Sequence, residues 1–297
     1  MNNEVSKVLF IINKHAGKGY QAALEGAIID CCGKNNIECT IEYTKARGHA
    51  TELASESALF DQVIAVGGDG TVNEVAQGLL NSSTPMGILP NGSGNGLARH
   101  LKIPINIAKA LDYLMQSKPI AMDTFTLNGK LSLNVSGIGF DGHIANAFAK
   151  EKKRGLQGYA KHTLNEFFAF KEFEAKMVTA KESLTKKAFV IAIANSSQYG
   201  NNARIAPAAS VCDELLHISI LKKIPPYRID FIYSFFNGTI DTTSFCEVLE
   251  SKDVTITLDH DMAYHVDGEP CGTAREFTIR LKPASLKILV HPSTTRP

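Results

Sequence analysis

The chain has 297 residues, 44% hydrophobic and 21% charged, with a formal net charge of +1 at neutral pH. That length exceeds one ordinary hydrophobic core, so two domains are expected, and the near-zero charge supplies no global field for nucleic acid, which is excluded as a partner. Six scattered cysteines without a C-x-x-C pair argue against a zinc site or a disulfide framework. Near the N-terminus one short apolar run, Val8–Ile12, stops at Asn13 and Lys14. It is too brief for a signal peptide or for the roughly twenty residues of a membrane span, so a cytoplasmic protein is expected that touches a membrane only from outside.

Residues 1–122 alternate strand and helix patterns. Val8–Ile12 reads as a buried strand, followed by a glycine-bearing loop and a helix from about Tyr20 to Cys32. Glu38–Tyr43 alternates like a strand, and Ala50–Leu59 is helical in composition. Val63–Val66 and Met86–Leu89 are short buried strands, each leading through a glycine-rich loop into a helix, over Val72–Leu80 and from near Asn95. Short apolar strands alternating with helices predict an α/β domain with a parallel sheet covered on both faces. Over 123–285 the texture changes. Asn128-Gly129 between Phe125–Leu127 and Lys130–Leu133 is a type I′ hairpin signal. Strand-like runs follow at Lys176–Thr179, Phe189–Ala194, Leu216–Leu221, Val254–Leu258, Ala263–Val266 and Phe277–Leu281, which predicts an antiparallel β-sandwich or barrel. Lys150–Phe173 reads as helical, and a last strand at Leu286–Val290 leaves 286–297 free to pack back onto the first domain.

Loops that follow parallel strands leave at one sheet edge, where open α/β folds bind ligands. Three of them here carry glycine: Asn13-Lys14-His15-Ala16-Gly17-Lys18-Gly19, Gly67-Gly68-Asp69-Gly70-Thr71 and Pro90-Asn91-Gly92-Ser93-Gly94-Asn95-Gly96. Glycine lets the backbone approach a ligand, and each loop opens a helix whose N-terminus favours phosphate, with Lys18 adding a point charge. The set therefore reads as a polyphosphate site. Each loop alone also reads as a plain tight turn, and Thr71 with Glu74 as a T-x-x-E capping box. A Walker P-loop is excluded because Ile12 stands where its first glycine belongs, and G-x-G-x-x-G fails at Asn73 and at Leu97.

Gly67-Gly68-Asp69-Gly70-Thr71-Val72-Asn73-Glu74 resembles the G-G-D-G-T-x-N-E signature of the diacylglycerol kinase catalytic-domain family, which includes bacterial lipid kinases and sphingosine kinases. The resemblance spans nearly the whole chain. Asn13–Gly19 is similar to the family's first loop, Thr44 with His49-Ala50 to its T-x(n)-H-A element, and Pro90–Arg99 to its P-x-G-[ST]-x-N loop with trailing A-R. Asn134–Asp141 matches N-x(2)-G-x-G-F-D, Asn195–Asn201 with Ala206-Pro207 matches N-x(4)-G-N…A-P, and Asp267-Gly268-Glu269 matches a late D-G-E. This chain has Lys14 for a common proline, Gly96 where many bacterial diacylglycerol kinases carry Asp, and Glu214 where Gly is usual. Ser93-Gly94-Asn95-Gly96 also fits the S-G-N plus small residue of sphingosine kinases.

The resemblance implies a phosphofructokinase-like N-terminal domain, a β-sandwich second domain for the lipid, and ATP with Mg²⁺. It assigns Asn13, Gly17, Lys18, Thr44, Gly67, Gly68, Gly70, Thr71, Glu74, Gly92, Ser93 and Asn95 to the nucleotide. It makes Asp69 the group that activates the acceptor hydroxyl, with Glu269, Asp267 and Asp123 completing the catalytic network and Asp213 on a structural Mg²⁺. Against this stand an Asx helix cap for Asp69, a hairpin turn for Asp267-Gly268 and a solvent-facing carboxylate for Asp123. The acceptor stays open between diacylglycerol and a sphingoid base, whose ammonium Asp123 or Asp141 could meet. Lys150-Glu151-Lys152-Lys153-Arg154 followed by aromatics through Phe170 suits an anionic bilayer, and equally an amphipathic helix covering the sandwich. An NAD kinase and a non-catalytic nucleotide-binding regulator are the alternative functions, and a homodimer stays open.

Overall fold

The computed structural model describes residues 5–17, 22–150, 166–225, 227–294 and 297. The chain divides into two compact units, Met1–Thr124 with Pro283–Pro297, and Phe125–Lys282.

In the first unit, β1 (Ser6–Ile12), β2 (Ile37–Tyr43), β3 (Gln62–Gly67) and β4 (Met86–Pro90) form a parallel sheet in the order β2-β1-β3-β4. Ile288 of the long C-terminal strand pairs with Met86 beyond β4, also parallel. Helices α1 (Ala22–Lys34), α2 (His49–Ser55), α3 (Asp69–Leu79), α4 (Gly96–His100) and α5 (Ile107–Met115) alternate with the strands. Val63–Val66 and Val8–Ile12 are almost wholly buried, which is why these runs are continuously apolar. Each such side chain contributes about 1.5–3 kcal/mol by leaving water. The four expected strands form.

Two helices start and stop elsewhere than their composition suggests. The helix expected at Ala50–Leu59 ends at Ser55, where Ser57 turns back to Ala54 through both its amide and its hydroxyl. The helix expected from Val72 begins three residues earlier, at Asp69, with Gly68 as its N-cap. Thr71 therefore lies inside the first turn, and the expected Thr71–Glu74 capping box is replaced by other partners for both side chains. Helix α5 was not expected; its signal was Asn106, whose side chain accepts the Lys109 amide ahead of the periodic Ile107, Ala110, Leu111 and Leu114.

The second unit is an antiparallel β-sandwich. After β5 (Lys118–Leu127) come β6 (Lys130–Ser132), β7 (Val135–Gly139), α6 (Phe140–Lys150), β8 (Phe173–Thr179), β9 (Ser183–Ala188), β10 (Val190–Ala194), β11 (Leu216–Leu221), α7 (Ile229–Asn237), β12 (Cys246–Ser251), β13 (Asp253–Val266) and β14 (Glu269–Val290). The strand order is β12-β11-β10-β7-β13, with β8 and β14 both pairing β13. Along β10, Ile191 and Ile193 enter the main core with Phe125, Ile218, Ile256 and Phe277. Ala192 and Ala194 enter a second core with Ile205, Phe231 and Ile240 beneath α7. A strand buried on both faces loses its polar alternation, which explains the unbroken apolar run.

The hairpin expected at Asn128-Gly129 forms with φ of 49° and 80°, the positive pair that a type I′ turn requires. The expected helix Lys150–Phe173 lies largely outside the described residues. What is described ends in a helical stretch over 166–169 and the start of β8 at Phe173.

Candidate active site

The parallel sheet brings the loops after β1, β3 and β4 to one edge, and Thr44 follows β2 there. Main-chain bonds join them: Asn13 N to Val66 O at 3.0 Å, Asn91 N to Gly67 O at 2.8 Å and Thr44 N to Ile12 O at 3.0 Å. The loops nest so closely that a Cβ on Gly92 would lie 2.5 Å from Gly68 Cα, and one on Gly17 2.2 Å from the Asn91 carbonyl oxygen. Any larger residue at 17 or 92 would force the loops apart. Lys18 lies outside the described residues.

Asp69 is the knot of this nest. One carboxylate oxygen accepts the Asn95 amide at 2.9 Å and the other the Gly96 amide at 2.7 Å. The carboxylate thus sits on the N-terminus of α4 and ties the third loop to the second, a cap supplied from 26 residues upstream. Asn95 is itself buried in a left-handed conformation (φ 52°), and its side chain closes the loop by accepting from Gly92 N and donating to Gly92 O. Ser93 stands exposed at the tip. Thr71 is buried and its hydroxyl accepts from Asn13 Nδ2 at 3.0 Å, joining the first loop to α3. Gly67 ends β3, Gly68 caps α3 without a side-chain hydrogen bond, and Gly70 lies in its first turn. Glu74 faces the other way: its carboxylate accepts the Ala50 amide at 3.3 Å at the start of α2, which has no side-chain cap of its own. It joins α3 to α2.

Asp123 is 2% exposed, so the solvent-facing reading of this residue is corrected. Its Oδ1 accepts the Ala284 amide at 2.7 Å, and the neighbouring Thr124 and Ser285 hydroxyls pair at 2.8 Å. Together they bind the returning C-terminal segment to the first unit. Asp213 accepts the Leu215 amide at 3.0 Å, an Asx-type turn. Among the described residues no group of three or more His, Cys, Asp or Glu side chains is arranged to hold a metal ion.

In the second unit Asp267 and Gly268 form the turn between β13 and β14, both at positive φ (48° and 84°). The Asp267 carboxylate accepts three donors: the Ser132 hydroxyl at 2.6 Å, Leu133 N at 2.9 Å and Asn134 N at 3.0 Å. Asp267 is therefore a turn residue and also the anchor of the chain ahead of β7. Glu269 follows as the exposed first residue of β14.

Beside this turn lies a polar network absent from the expectations. His265 is 3% exposed; its Nδ1 accepts the Gly268 amide at 3.1 Å and its Nε2 lies 3.3 Å from Asp141 Oδ2. The same oxygen accepts the Tyr199 hydroxyl at 2.9 Å, and burial first, then Asp141, pushes the Tyr199 pKa well up. The only advance signal was Asp141 at the end of the N-x-x-G-x-G-F-D run. Gly137 in that run makes room for its carboxylate: a Cβ there would lie 1.7 Å from Asp141 Oδ2.

Residues 7–127 match the diacylglycerol kinase catalytic domain, and residues 134–290 the YegS C-terminal NAD kinase beta sandwich-like domain. The chain belongs to the family that carries the YegS C-terminal NAD kinase beta sandwich-like domain, here behind a diacylglycerol kinase catalytic domain. A "Probable lipid kinase YegS-like" of Klebsiella pneumoniae is 28% identical to this kinase over 293 residues, covering 96% of each chain. A protein of the same description from Yersinia pestis is 29% identical and covers 87% of this kinase and 88% of its own length. A Bacillus anthracis structure assigned as a candidate diacylglycerol kinase superposes with a TM-score of 0.79 at 25% identity, over 99% of this kinase and all of that chain. A second from the same organism gives 0.75 at 26%. The NAD kinase alternative shares the sandwich architecture but is not favoured, since the relatives matched over most of their length are described as probable lipid kinases.

Proposed function

We propose that this lipid kinase transfers the γ-phosphoryl group of ATP, with Mg²⁺, to the hydroxyl of a membrane lipid. The observation that carries the proposal is the nest of three glycine loops around Asp69, at a sheet edge where α3 begins without a side-chain cap. The arrangement suits a polyphosphate: the α4 N-terminus is taken by Asp69, while α3 opens on Gly68, which offers no side-chain cap, and helix N-termini behind glycine turns favour phosphate. Asp69 would hold Mg²⁺ together with the phosphates and water, and the ion would supply charge neutralisation for the transferring phosphoryl group, a site type that needs no three-residue protein cage.

In this proposal the main-chain groups of Gly17, Gly68, Gly70 and Gly92, with Asn13, Thr44, Thr71 and Ser93, line the phosphate cradle. Asp69 and Asn95 hold its shape, and the Asp69 carboxylate is assigned to the metal-phosphate network. Glu269, the exposed carboxylate of the D-G-E turn, is assigned to the acceptor hydroxyl, accepting its proton as attack proceeds. Asp267 positions that turn. Asp123 and Asp213 act through structure rather than chemistry.

Asp123 and Asp141, the carboxylates available for a sphingoid ammonium, are each engaged with internal donors. That favours an uncharged acceptor, diacylglycerol. Contact with an anionic membrane through 150–170 belongs to the same proposal. Its middle, 151–165, lies outside the described residues. At its end Phe167 and Phe170 pack on Phe140 and Phe189, as a covering segment would, while Phe168 is 53% exposed. The test is a lipid panel in mixed micelles with labelled ATP and NAD as a soluble control. Label in phosphatidic acid supports the proposal; label in NAD alone overturns it.

A further inference from the structure

The family's two second-domain motifs in this chain, N-x-x-G-x-G-F-D and D-G-E, are joined by hydrogen bonds at both ends. At one end Asn134 N and Leu133 N donate to Asp267. At the other, Asp141 reaches the turn through His265, and that link goes through a single ring whose chemistry is fixed by its neighbours.

The Gly268 N–H is a donor, so Nδ1 of His265 must present its lone pair. In the neutral ring the proton is then on Nε2, facing Asp141 Oδ2. Tyr199, whose raised pKa keeps its hydroxyl protonated, donates to the same oxygen and lies with its ring centroid 6.0 Å from that of His265. Asp141 Oδ1 accepts the Gly142 amide at 2.7 Å, so the carboxylate cannot turn away. Gly142 in turn packs so tightly on β13 that a Cβ would lie 2.4 Å from the Ala263 carbonyl oxygen. Asn146, one turn along α6, donates to Tyr264 O and accepts the Gly272 amide, gripping both strands of the hairpin behind the turn. The Gly268 N–H belongs to the Asp267–Gly268 peptide plane, one residue before Glu269, so holding that plane braces the turn from which Glu269 leaves.

We infer that His265 is a positioning residue for the D-G-E turn: held by Asp141 and Tyr199, it grips the Gly268 amide and thereby sets where Glu269 presents its carboxylate. This rests on the reading of Glu269 as the carboxylate at the acceptor hydroxyl. A shift of about 1 Å in such a group can cost about a hundredfold in rate, so the effect falls on turnover rather than on nucleotide binding.

The experiment compares His265→Leu, His265→Asn and His265→Gln with the parent and with Glu269→Gln, measuring kcat on dioctanoylglycerol in mixed micelles, KM for ATP and Tm. Leu removes both hydrogen bonds. Asn keeps an acceptor near the Nδ1 position, and Gln keeps a donor toward Asp141. The expected result is a loss of roughly a hundredfold in kcat for Leu, with KM for ATP within about twofold of the parent. Asn should recover about tenfold of that loss and Gln less, because the Gly268 contact is the one that orients the turn. If Glu269→Gln is inactive while His265→Leu keeps the parental kcat, the positioning role is overturned and the functional reading survives. Equal losses in all three His265 variants that track their Tm would overturn it as well, leaving only a packing role. A parent without lipid kinase activity, or a fully active Glu269→Gln, would sink the functional reading and this inference together.

Discussion

Replacing Asp69 by Asn changes one oxygen for an NH₂ and leaves the shape alone. The carboxylate receives two main-chain N–H groups, at 2.9 and 2.7 Å, one on each oxygen. The amide can accept only one of them, and its NH₂ then faces the other donor. Hydrogen bonds to a charged partner contribute about 1.5–3 kcal/mol each and neutral ones about 1, so the clamp between the second and third loops weakens by roughly 2–5 kcal/mol. A domain of ordinary stability, about 5–15 kcal/mol, survives that, so Asp69→Asn should fold with a lowered Tm. Turnover should fall by roughly 10²-fold or more, because the phosphate cradle loses its shape and the metal-phosphate network loses its carboxylate. Steady-state kinetics over an ATP series, beside thermal unfolding of the same preparations, separates the two contributions. A higher KM for ATP reports the loosened cradle, and a lower kcat the missing charge. Parental kcat, KM and Tm in Asp69→Asn would refute the reasoning.

Three further outcomes follow from the same structure. Gly92→Ala sets a Cβ 2.5 Å from Gly68 Cα, so ATP affinity measured by calorimetry should fall at least about tenfold; unchanged affinity would show that the loops do not need to nest. His100 is buried and its pKa is lowered from 6.5 to about 4, by burial first and then by Lys102. The unfolded ring binds a proton below pH 6.5 whereas the folded one does not until about pH 4, so this contribution is complete above pH 6.5 and is lost as pH falls toward 4, by about 3 kcal/mol. Urea unfolding at pH 4.5 and 7.5 should show a steeper fall in the parent than in His100→Gln, and parallel curves would contradict the buried neutral ring. Neutralising Lys152, Lys153 and Arg154 together should weaken sedimentation with anionic vesicles, by up to about 1 kcal/mol per charge, while turnover of a short-chain lipid stays constant; an equal loss in both would point to a folding role.

Much of the fold was legible because its signals are local. The buried parallel strands announce themselves as apolar runs, and Asn128-Gly129 carries its own turn conformation. Where local signals compete, the sequence misleads: Thr71 and Glu74 satisfy a capping-box spacing, but Gly68 starts α3 earlier and Asn13 and Ala50 take the two side chains. The candidate site was legible as a set of loops and carboxylates, not as a set of partners. Asp69 finds its donors 26 and 27 residues away, and Asp267 finds its own 133 to 135 away. Neither separation has any periodicity to betray it. His265 is the extreme case. A lone histidine in a strand carries no sequence sign of its partners, which here are Asp141 and the D-G-E turn.

The most direct test of the account is transfer of the terminal phosphate. Purified kinase, γ-labelled ATP and Mg²⁺ are mixed with diacylglycerol or a sphingoid base in detergent micelles, and the lipid product is identified by mass. The account predicts a phosphate monoester on the diacylglycerol hydroxyl, abolished in Glu269→Gln and at least about a hundredfold slower in Asp69→Asn. Label that never enters any lipid, or that enters it undiminished in both variants, would contradict it.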